Sequence, residues 1–416
     1  MIFVLKNWYH YCLAWFGDIW YGDPSETMRV IGITGTKGKT TTVELLTSIL
    51  EAAGEKVALV SSVHIKVGRT LDRNLTGNSM PGRLFLQSFL ARAKKAGCTT
   101  VVLEVTSQGI VQHRHEFIDF DMAAFTGIHP EHIESHGSFE NYKNAKKRLF
   151  TDVAAKSVKK NKIFFVNEVS EYADEFASAA GSERVVRYGR QGFINRYLGG
   201  DRMRIGNWFE SDFNLENAAL VTEIAGACGV NWAVIEAGLK AFRGVPGRME
   251  IIATDHPAMA KIKKKFSVII DYAHTPESLE GLYRYIRSRL AAKTGGRMIC
   301  VLGSAGGGRD KWKRPEMGKA ADLFCDEIVL TDEDPYDEDP MMIMKDIATG
   351  IAVKPYRLIA GRRAAIRRAM ELAETGDAIV ISGKGSELWL HQEDGKKIPW
   401  SERKIVEECL TELGLQ

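Results

Sequence analysis

Apolar residues follow two patterns along the chain. Short runs are apolar at nearly every position and rich in β-branched residues: 28–35 (MRVIGITG), 56–62, 99–107 and 121–128. Between them lie longer stretches, near 40–53, 83–96 and 139–155, where apolar residues return every three or four positions. A continuous apolar run marks a strand buried on both faces, and the longer period marks helices that cover it. Strands alternating with helices in this way predict a parallel sheet. Helices are expected at 216–227 and 233–242, followed by a Gly/Pro break, RGVPGRME, at 243–250 that reads as a linker. The pattern then restarts, with strands at 266–273, 298–306, 326–332 and 377–383 and a helix ending near 290. The expected fold class is α/β, in two α/β units.

A length of 416 residues suits two or three domains. The balance of 56 basic against 53 acidic residues leaves a net charge of +3, which argues against nucleic acid as a partner. The short basic run at 261–265 reads as a solvated loop. None of the six cysteines forms a CxxC pair, so zinc ribbons and redox motifs lack support. They read as small core residues in a reducing compartment. Residues 1–22 gather Trp8, Tyr9, Tyr11, Trp15, Phe16, Trp20 and Tyr21, interrupted by Lys6, His10 and Asp18. No small-residue cleavage site follows, and the stretch is too broken for a membrane span. Two readings stay open: an aromatic helix packed on its own protein, or an interfacial anchor.

The densest chemical signal is GITGTKGKTTT at 32–42, with an apolar strand before it and a helix after it. Glycines let backbone N–H groups close around phosphate oxygens, and the helix N-terminus adds partial positive charge. Gly35, Thr36, Lys37, Gly38, Lys39, Thr40 and Thr41 form the expected ATP-binding loop, with Lys39 on the terminal phosphates and Thr40 on Mg²⁺. The common pattern asks for glycine where Ile33 stands, so the loop is a variant. Glu104 ends an apolar strand, where open α/β sheets place their sites. GSAGGG at 303–308 follows a strand but lacks a dinucleotide fingerprint.

This loop resembles the ATP loop of the Mur ligases and their folylpolyglutamate synthetase relatives. LEVTSQGI (103–110), FTGIHPEHIESHGSFENYKNAKKRLF (125–150), FNLENAA (213–219), GVPGRME, DYAHTPESL, GRDKWKRPEMG and SGKGSE continue the similarity in order, over about 29 to 410. It looks nearest to the branch that adds the third residue of the peptidoglycan stem peptide, the UDP-N-acetylmuramoyl-dipeptide ligases. The resemblance implies a central P-loop ATPase domain at 28–245 and a Rossmann-like domain at 246–416. It further implies a cytoplasmic ATP-dependent ligase that joins an amino acid to a muropeptide-like carboxylate through an acyl phosphate.

By the same resemblance, Glu104 and His132 are Mg²⁺ ligands, while His129 and His136 stay open between ligand and bystander. Lys146 would be N-carbamoylated and so become a further Mg²⁺ ligand, with Lys147 as the fallback. Asn214 and Asn217 match adenine contacts, although an i, i+3 asparagine pair also suits helix capping. Arg248 and Asp271 match residues that reach ATP from the second domain. Thr106 and Ser107 belong to acceptor binding. Arg309 matches the residue holding the amino acid α-carboxylate, and Glu387 the one near its amine. Gly383, Asp334 and Tyr336 complete that pocket.

The departures from the family pattern bear on substrates. Where the diaminopimelate-using branch carries DNPR, this chain has Glu333, Asp334, Pro335 and Tyr336. The loop TDEDPYDEDP has six acidic residues in ten, which favours a distal ammonium, as in lysine or ornithine, over a distal carboxylate; a solvated acidic loop is the other reading. Ser386 and Gln108 replace usual histidines, and Gly127 a usual asparagine. The ATP loop begins at residue 32, so residues 1–27 stand where the family carries a UDP-binding domain. The acceptor is then expected to be shorter, or carried on a lipid or partner met by the aromatic helix, giving residues 1–22 a membrane or protein contact. A folylpolyglutamate-type ligase and a non-catalytic ATP-binding scaffold are the competing readings.

Overall fold

Strands with no polar face need helices on both sides, and the chain supplies them in two units. A computed structural model describes residues 2–252, 256–293 and 295–414. The chain divides into Met1–Arg243 and Gly244–Gln416.

The first unit runs α1 (Ile2–Tyr21), β1 (Arg29–Thr34), α2 (Lys39–Ala52), β2 (Val57–Val60), β3 (His64–Val67), β4 (Thr70–Arg73), α3 (Arg83–Lys95), β5 (Thr100–Glu104) and α4 (Ser107–Val111). It continues with β6 (Met122–Phe125), α5 (Ile133–His136), α6 (Phe139–Lys156), β7 (Ile163–Asn167), α7 (Ala173–Ala179), β8 (Arg184–Tyr188), α8 (Arg190–Phe193), α9 (Asp212–Ala227) and α10 (Trp232–Ala241). Sheet order is β4-β3-β2-β5-β1-β6-β7-β8. The sheet is mixed, because β3 pairs antiparallel with both β2 and β4. These two strands are short, half-polar and joined through Gly68 at φ +57°, so they gave no apolar run to read. Along β1, Val30 faces one core with Phe89, Phe125 and Phe150, while Ile31 and Ile33 face the other with Leu46, Ile49 and Leu220. Burial of both faces is the reason that the strand reads as continuously apolar.

Unit two runs β9 (Glu250–Ile252), β10 (Ser267–Ile270), α11 (Pro276–Lys293), β11 (Met298–Leu302), α12 (Lys313–Phe324), β12 (Glu327–Leu330), α13 (Pro340–Ala348), β13 (Tyr356–Leu358), α14 (Arg362–Leu372), β14 (Ala378–Ile381), β15 (Trp389–His391), β16 (Lys397–Pro399) and α15 (Glu402–Leu413). Its main sheet has the order β13-β12-β11-β14-β10-β9, parallel except for β9. The expected linker is therefore partly structured: a Val245–Arg248 bridge turns the chain into β9.

Two expectations change. Cys300, in β11, and Cys325, just after α12, form a disulfide across 25 residues of sequence. Reading all six cysteines as reduced core thiols is thus wrong for this pair; their spacing carried no signal because the fold, not the sequence, makes them neighbours. At the N-terminus, α1 packs its small residues Ala14 and Gly17 inward, and Gly17 meets Leu84 and Gln87 of α3. Asn7 Oδ1 and His113 Nε2 are 2.8 Å apart, and the Tyr11 ring contacts His113 and Phe117. Trp8, Tyr9, Trp15, Phe16, Ile19 and Trp20 point outward. One face of α1 is thus docked on the protein, and the aromatic stripe on its other face is exposed. No described helix is long and apolar enough to cross a membrane.

Candidate active site

The carboxyl ends of β1, β5 and β6, which lie side by side, carry the phosphate loop and its neighbours. Open α/β sheets place ligands in such a crevice. Gly35 has φ +144°, and a Cβ there would lie 1.9 Å from Thr126 Oγ1. Gly38 has φ +84°, and a Cβ there would lie 2.5 Å from Asn217 Oδ1. Only glycine suits these two positions. The loop is pinned to β6 where Thr36 N donates to the Gly127 carbonyl (2.9 Å) and Thr126 Oγ1 to the Lys37 carbonyl (2.6 Å). Lys39 Nζ reaches back to the Gly35 and Thr36 carbonyls, at 3.0 and 2.9 Å. Thr40 and Thr41 are buried in the first turn of α2.

Oxygen ligands converge beside Thr40. Its hydroxyl lies 2.8 Å from Ser62 Oγ, and the Ser62 N–H donates to Glu104 Oε1 (3.1 Å). Glu104 is almost wholly buried at the end of β5. Two hydroxyls and a carboxylate are hard donors that suit Mg²⁺. His132 opens α5 at φ +55°, half exposed, with Nε2 3.8 Å from Glu131 Oε1.

Lys146, on α6, is fully buried, and its Nζ donates to the Gly35 carbonyl (2.7 Å). Burial, reinforced by the Lys39 cation, pulls its pKa well below the usual lysine range. The fallback, Lys147, instead pairs with Glu175 at the surface. His136 Nε2 lies 3.1 Å from Ser107 Oγ, and burial followed by Lys146 lowers its pKa. That contact moves His136 from bystander to a neighbour of the expected acceptor residues. Thr106 caps α4 by accepting from Gly109 N (3.1 Å). Asn217 packs on Gly38 and receives Thr42 Oγ1 (3.4 Å), while Asn214 Nδ2 donates to the Trp208 carbonyl (2.8 Å). Neither asparagine caps α9, because Ser211 does.

In the second unit, Arg248 stacks on Tyr272, 4.0 Å from the ring centroid. Asp271 is buried with both oxygens engaged by backbone, from Met249 N and Ala273 N, each at 2.7 Å. Lys384 is fully buried between Asp334 (2.8 Å) and Glu387. Burial pushes the Glu387 carboxyl up, but Lys384 and the Tyr272 hydroxyl (3.1 Å) outweigh it and hold the pKa below its usual range. Arg309 donates to the Tyr336 hydroxyl (3.1 Å). Tyr336 sits at φ +50° against Gly307, and Gly303 and Gly306 of GSAGGG pack against the same 331–338 loop. Gly383, at φ +107°, faces Glu333, whose Oε2 would lie 2.2 Å from an added Cβ.

The acidic loop is not the free anionic surface that its composition suggests. Asp332 accepts from Gly361 N, Asp337 from Asp394 N, and Asp339 caps α13. Glu338 pairs with Arg314 and Lys311, and Asp334 with Lys384. Glu333 alone of the six keeps a buried oxygen with no hydrogen-bond partner among the described residues. Sequence reading also passed over Tyr142, Ser62 and Glu131. Tyr142 is one helical turn before Lys146 and so shares its face, a signal that was present in the spacing. Ser62 and Glu131 gave none.

Comparison with known proteins places this geometry. Residues 33–224 match the Mur ligase middle domain, and 247–385 the Mur ligase glutamate ligase domain. The UDP-N-acetylmuramoyl-L-alanyl-D-glutamate–2,6-diaminopimelate ligase of Aquifex aeolicus is 34% identical over 405 residues, covering 94% of this chain and 79% of the relative. The UDP-N-acetylmuramyl-tripeptide synthetase of Roseiflexus sp. is 35% identical over 436 residues, covering 97% and 82%. Among solved structures, a UDP-N-acetylmuramoyl-L-alanyl-D-glutamate–2,6-diaminopimelate ligase superposes with TM-score 0.55 at 25% identity, covering 93% of this chain and 79% of that one. Folylpolyglutamate synthase of Mycobacterium tuberculosis complexed with ADP gives TM-score 0.67 at 17% identity, with coverage of 89% and 91%, a likeness of fold.

Proposed function

The chain belongs to the Mur ligase family of ATP-dependent, ADP-forming amide-bond ligases, and on that premise we propose that it adds an amino acid to a muropeptide-like carboxylate through an acyl phosphate. The observation that carries this reading is the meeting of Lys39, Thr40, Glu104 and Lys146 around one phosphate loop. A carboxylate oxygen of the acceptor attacks the γ-phosphorus of ATP, the bond to the β-bridging oxygen breaks, and ADP leaves. The amine of the incoming amino acid then attacks the acyl carbon, the carbonyl re-forms as phosphate departs, and the amine loses a proton to solvent or phosphate. Such chemistry needs positioning and cations more than covalent help.

Within it, Lys39 leaves the loop carbonyls to bind terminal phosphate oxygens. Thr40, Glu104 and His132 would hold Mg²⁺, which neutralises charge on the transferring phosphoryl group when bound. Burial, then the Lys39 cation, lowers the Lys146 pKa and so favours the neutral amine, the form that reacts with CO₂; as a carbamate it would present an oxygen ligand beside Glu104. Asn214, Asn217, Arg248 and Asp271 are assigned to ATP. Thr106 and Ser107 are assigned to the acceptor, and Arg309, Asp334, Tyr336, Gly383 and Glu387 to the amino acid. A distal ammonium on that amino acid would meet Glu333, the one loop acid with an oxygen to spare. The outward stripe of α1 serves the acceptor side, meeting its carrier or a membrane surface, while the reaction itself belongs where ATP is, in the cytoplasm.

The test is phosphate release from ATP and Mg²⁺ over a matrix of amino acids (diaminopimelate, lysine, ornithine, glutamate) and acceptors. The acceptors are UDP-N-acetylmuramoyl-dipeptide, its UDP-free form and a folate. Release that requires one amino acid and one muropeptide establishes the reading and names both substrates. Release only with folate and glutamate, or none from protein that binds ADP, overturns it.

A further inference from the structure

Tyr142 binds neither ATP, metal nor acceptor in this reading, yet it contacts the phosphate loop, Lys146 and two histidines of the site. It is 1% exposed on α6. Its hydroxyl lies 3.0 Å from Thr36 Oγ1, in the phosphate loop. Lys146 Nζ lies over its ring face, 4.7 Å from the centroid. His132 and His136 meet the same ring in edge-to-face contacts, at 5.8 and 5.4 Å between centroids. His136 in turn bonds Ser107, and Thr36 Oγ1 also accepts from His129 N (3.1 Å). One phenol therefore joins the phosphate loop, the His129–His136 loop, the start of α4 and the reactive lysine. Filling the core would require only a ring. A hydroxyl buried there is costly unless bonded, and its partner is a loop residue that must hold position around a phosphate.

We propose that Tyr142 is a positioning residue that sets the phosphate loop through Thr36 and orients Lys146 through its ring face. The Lys146 half of this rests on the ligase reading; the Thr36 half stands without it. The two contacts separate by chemistry. Tyr142→Phe removes the hydroxyl and keeps the ring, so nucleotide binding suffers and the lysine stays placed. Tyr142→Leu removes both, so Lys146 also loses the ring face against which its Nζ rests.

The experiment compares the full-length wild-type, Tyr142→Phe and Tyr142→Leu chains by thermal melting, by titration with a fluorescent ADP analogue, and by steady-state turnover with and without added bicarbonate. The Phe variant is expected to fold as the wild type, to bind ADP roughly 3- to 10-fold more weakly, and to raise KM for ATP by the same factor with kcat within about twofold. The Leu variant should lose a further tenfold or more in kcat, recovered in part by bicarbonate. ADP affinity and KM unchanged in the Phe variant would overturn the proposal, as would equal, bicarbonate-insensitive losses in both variants. The ADP titration needs no acceptor, so the Thr36 contact is judged even if no ligase substrate is found. If Leu fails to fold, the Phe variant still decides.

Discussion

Asp18 shows how much one residue's surroundings matter. It lies on the packed side of α1, with Oδ1 buried and without a hydrogen-bond partner among the described residues. Burial first, then the neighbouring Asp23 and Asp119 carboxylates, push its pKa from 3.8 up to about 6. An acid whose folded pKa is raised keeps its proton in the folded state across that window while the unfolded chain has released it. Stability contributed here therefore falls as pH rises from 3.8 to about 6, and above that the penalty is constant. Asp18→Asn should raise the melting temperature near neutral pH by a few degrees and lose that advantage below pH 3.8. A gain of equal size at both pH values would show that charge is not the cause. The family motif picks out Lys146, but its place among three basic neighbours on a helix gives no physical reason for unusual chemistry; the structure buries it against Gly35, and burial lowers its pKa.

Among elements, α1 is built inside out relative to an ordinary surface helix, with small residues inward and aromatics outward. Exposed side chains contribute little to folding, so replacing Trp8, Trp15 and Trp20 together by Ser should leave the melting temperature within about 1 °C and ADP binding unchanged. Turnover of the acceptor, and any pelleting with lipid vesicles, should fall. Wild-type acceptor kinetics and unchanged pelleting would remove α1 from the acceptor side. Deleting residues 1–22 tests the same point more severely, because it also uncovers the buried Gln87 of α3. The 331–340 loop carries the opposite lesson. Its composition suggested an anionic patch, whereas five of its six acids are tied to partners within the second unit, a pairing that composition does not record.

For the whole molecule, each unit has its own sheet and its own reporter. ADP at a hundredfold excess over its Kd should stabilise the unit that binds it by about 2.7 kcal/mol. In hydrogen exchange this should appear as slowed amides at 35–41 and 126–129. Reducing the Cys300–Cys325 bond frees a loop of 25 residues, a loss of about 3 kcal/mol in the chain-entropy account, and should speed exchange in β11 and α12. Absence of ADP protection at 35–41 would remove the nucleotide from this loop. No change on reduction would show that the disulfide does not hold the second unit together.

The α/β class, the order of most buried strands and the phosphate loop could be read from the chain alone, because burial on both faces and glycine-dependent turns leave local marks in it. The chain also marked the family, through motifs spread along most of its length. The β3–β4 hairpin and β8 escaped that reading, being short or edge-placed with little apolar pattern, while β7 escaped it although its run IFFVN is apolar and buried. It took the folded chain to bring Cys300 to Cys325, to join Thr40 to Glu104 through Ser62, to tie Thr36 to Lys146 through Tyr142, and to pair most of the acidic loop. Those are contacts between residues far apart in the chain, and neither periodicity nor composition records which distant side chains the packing of helices on a sheet will bring together.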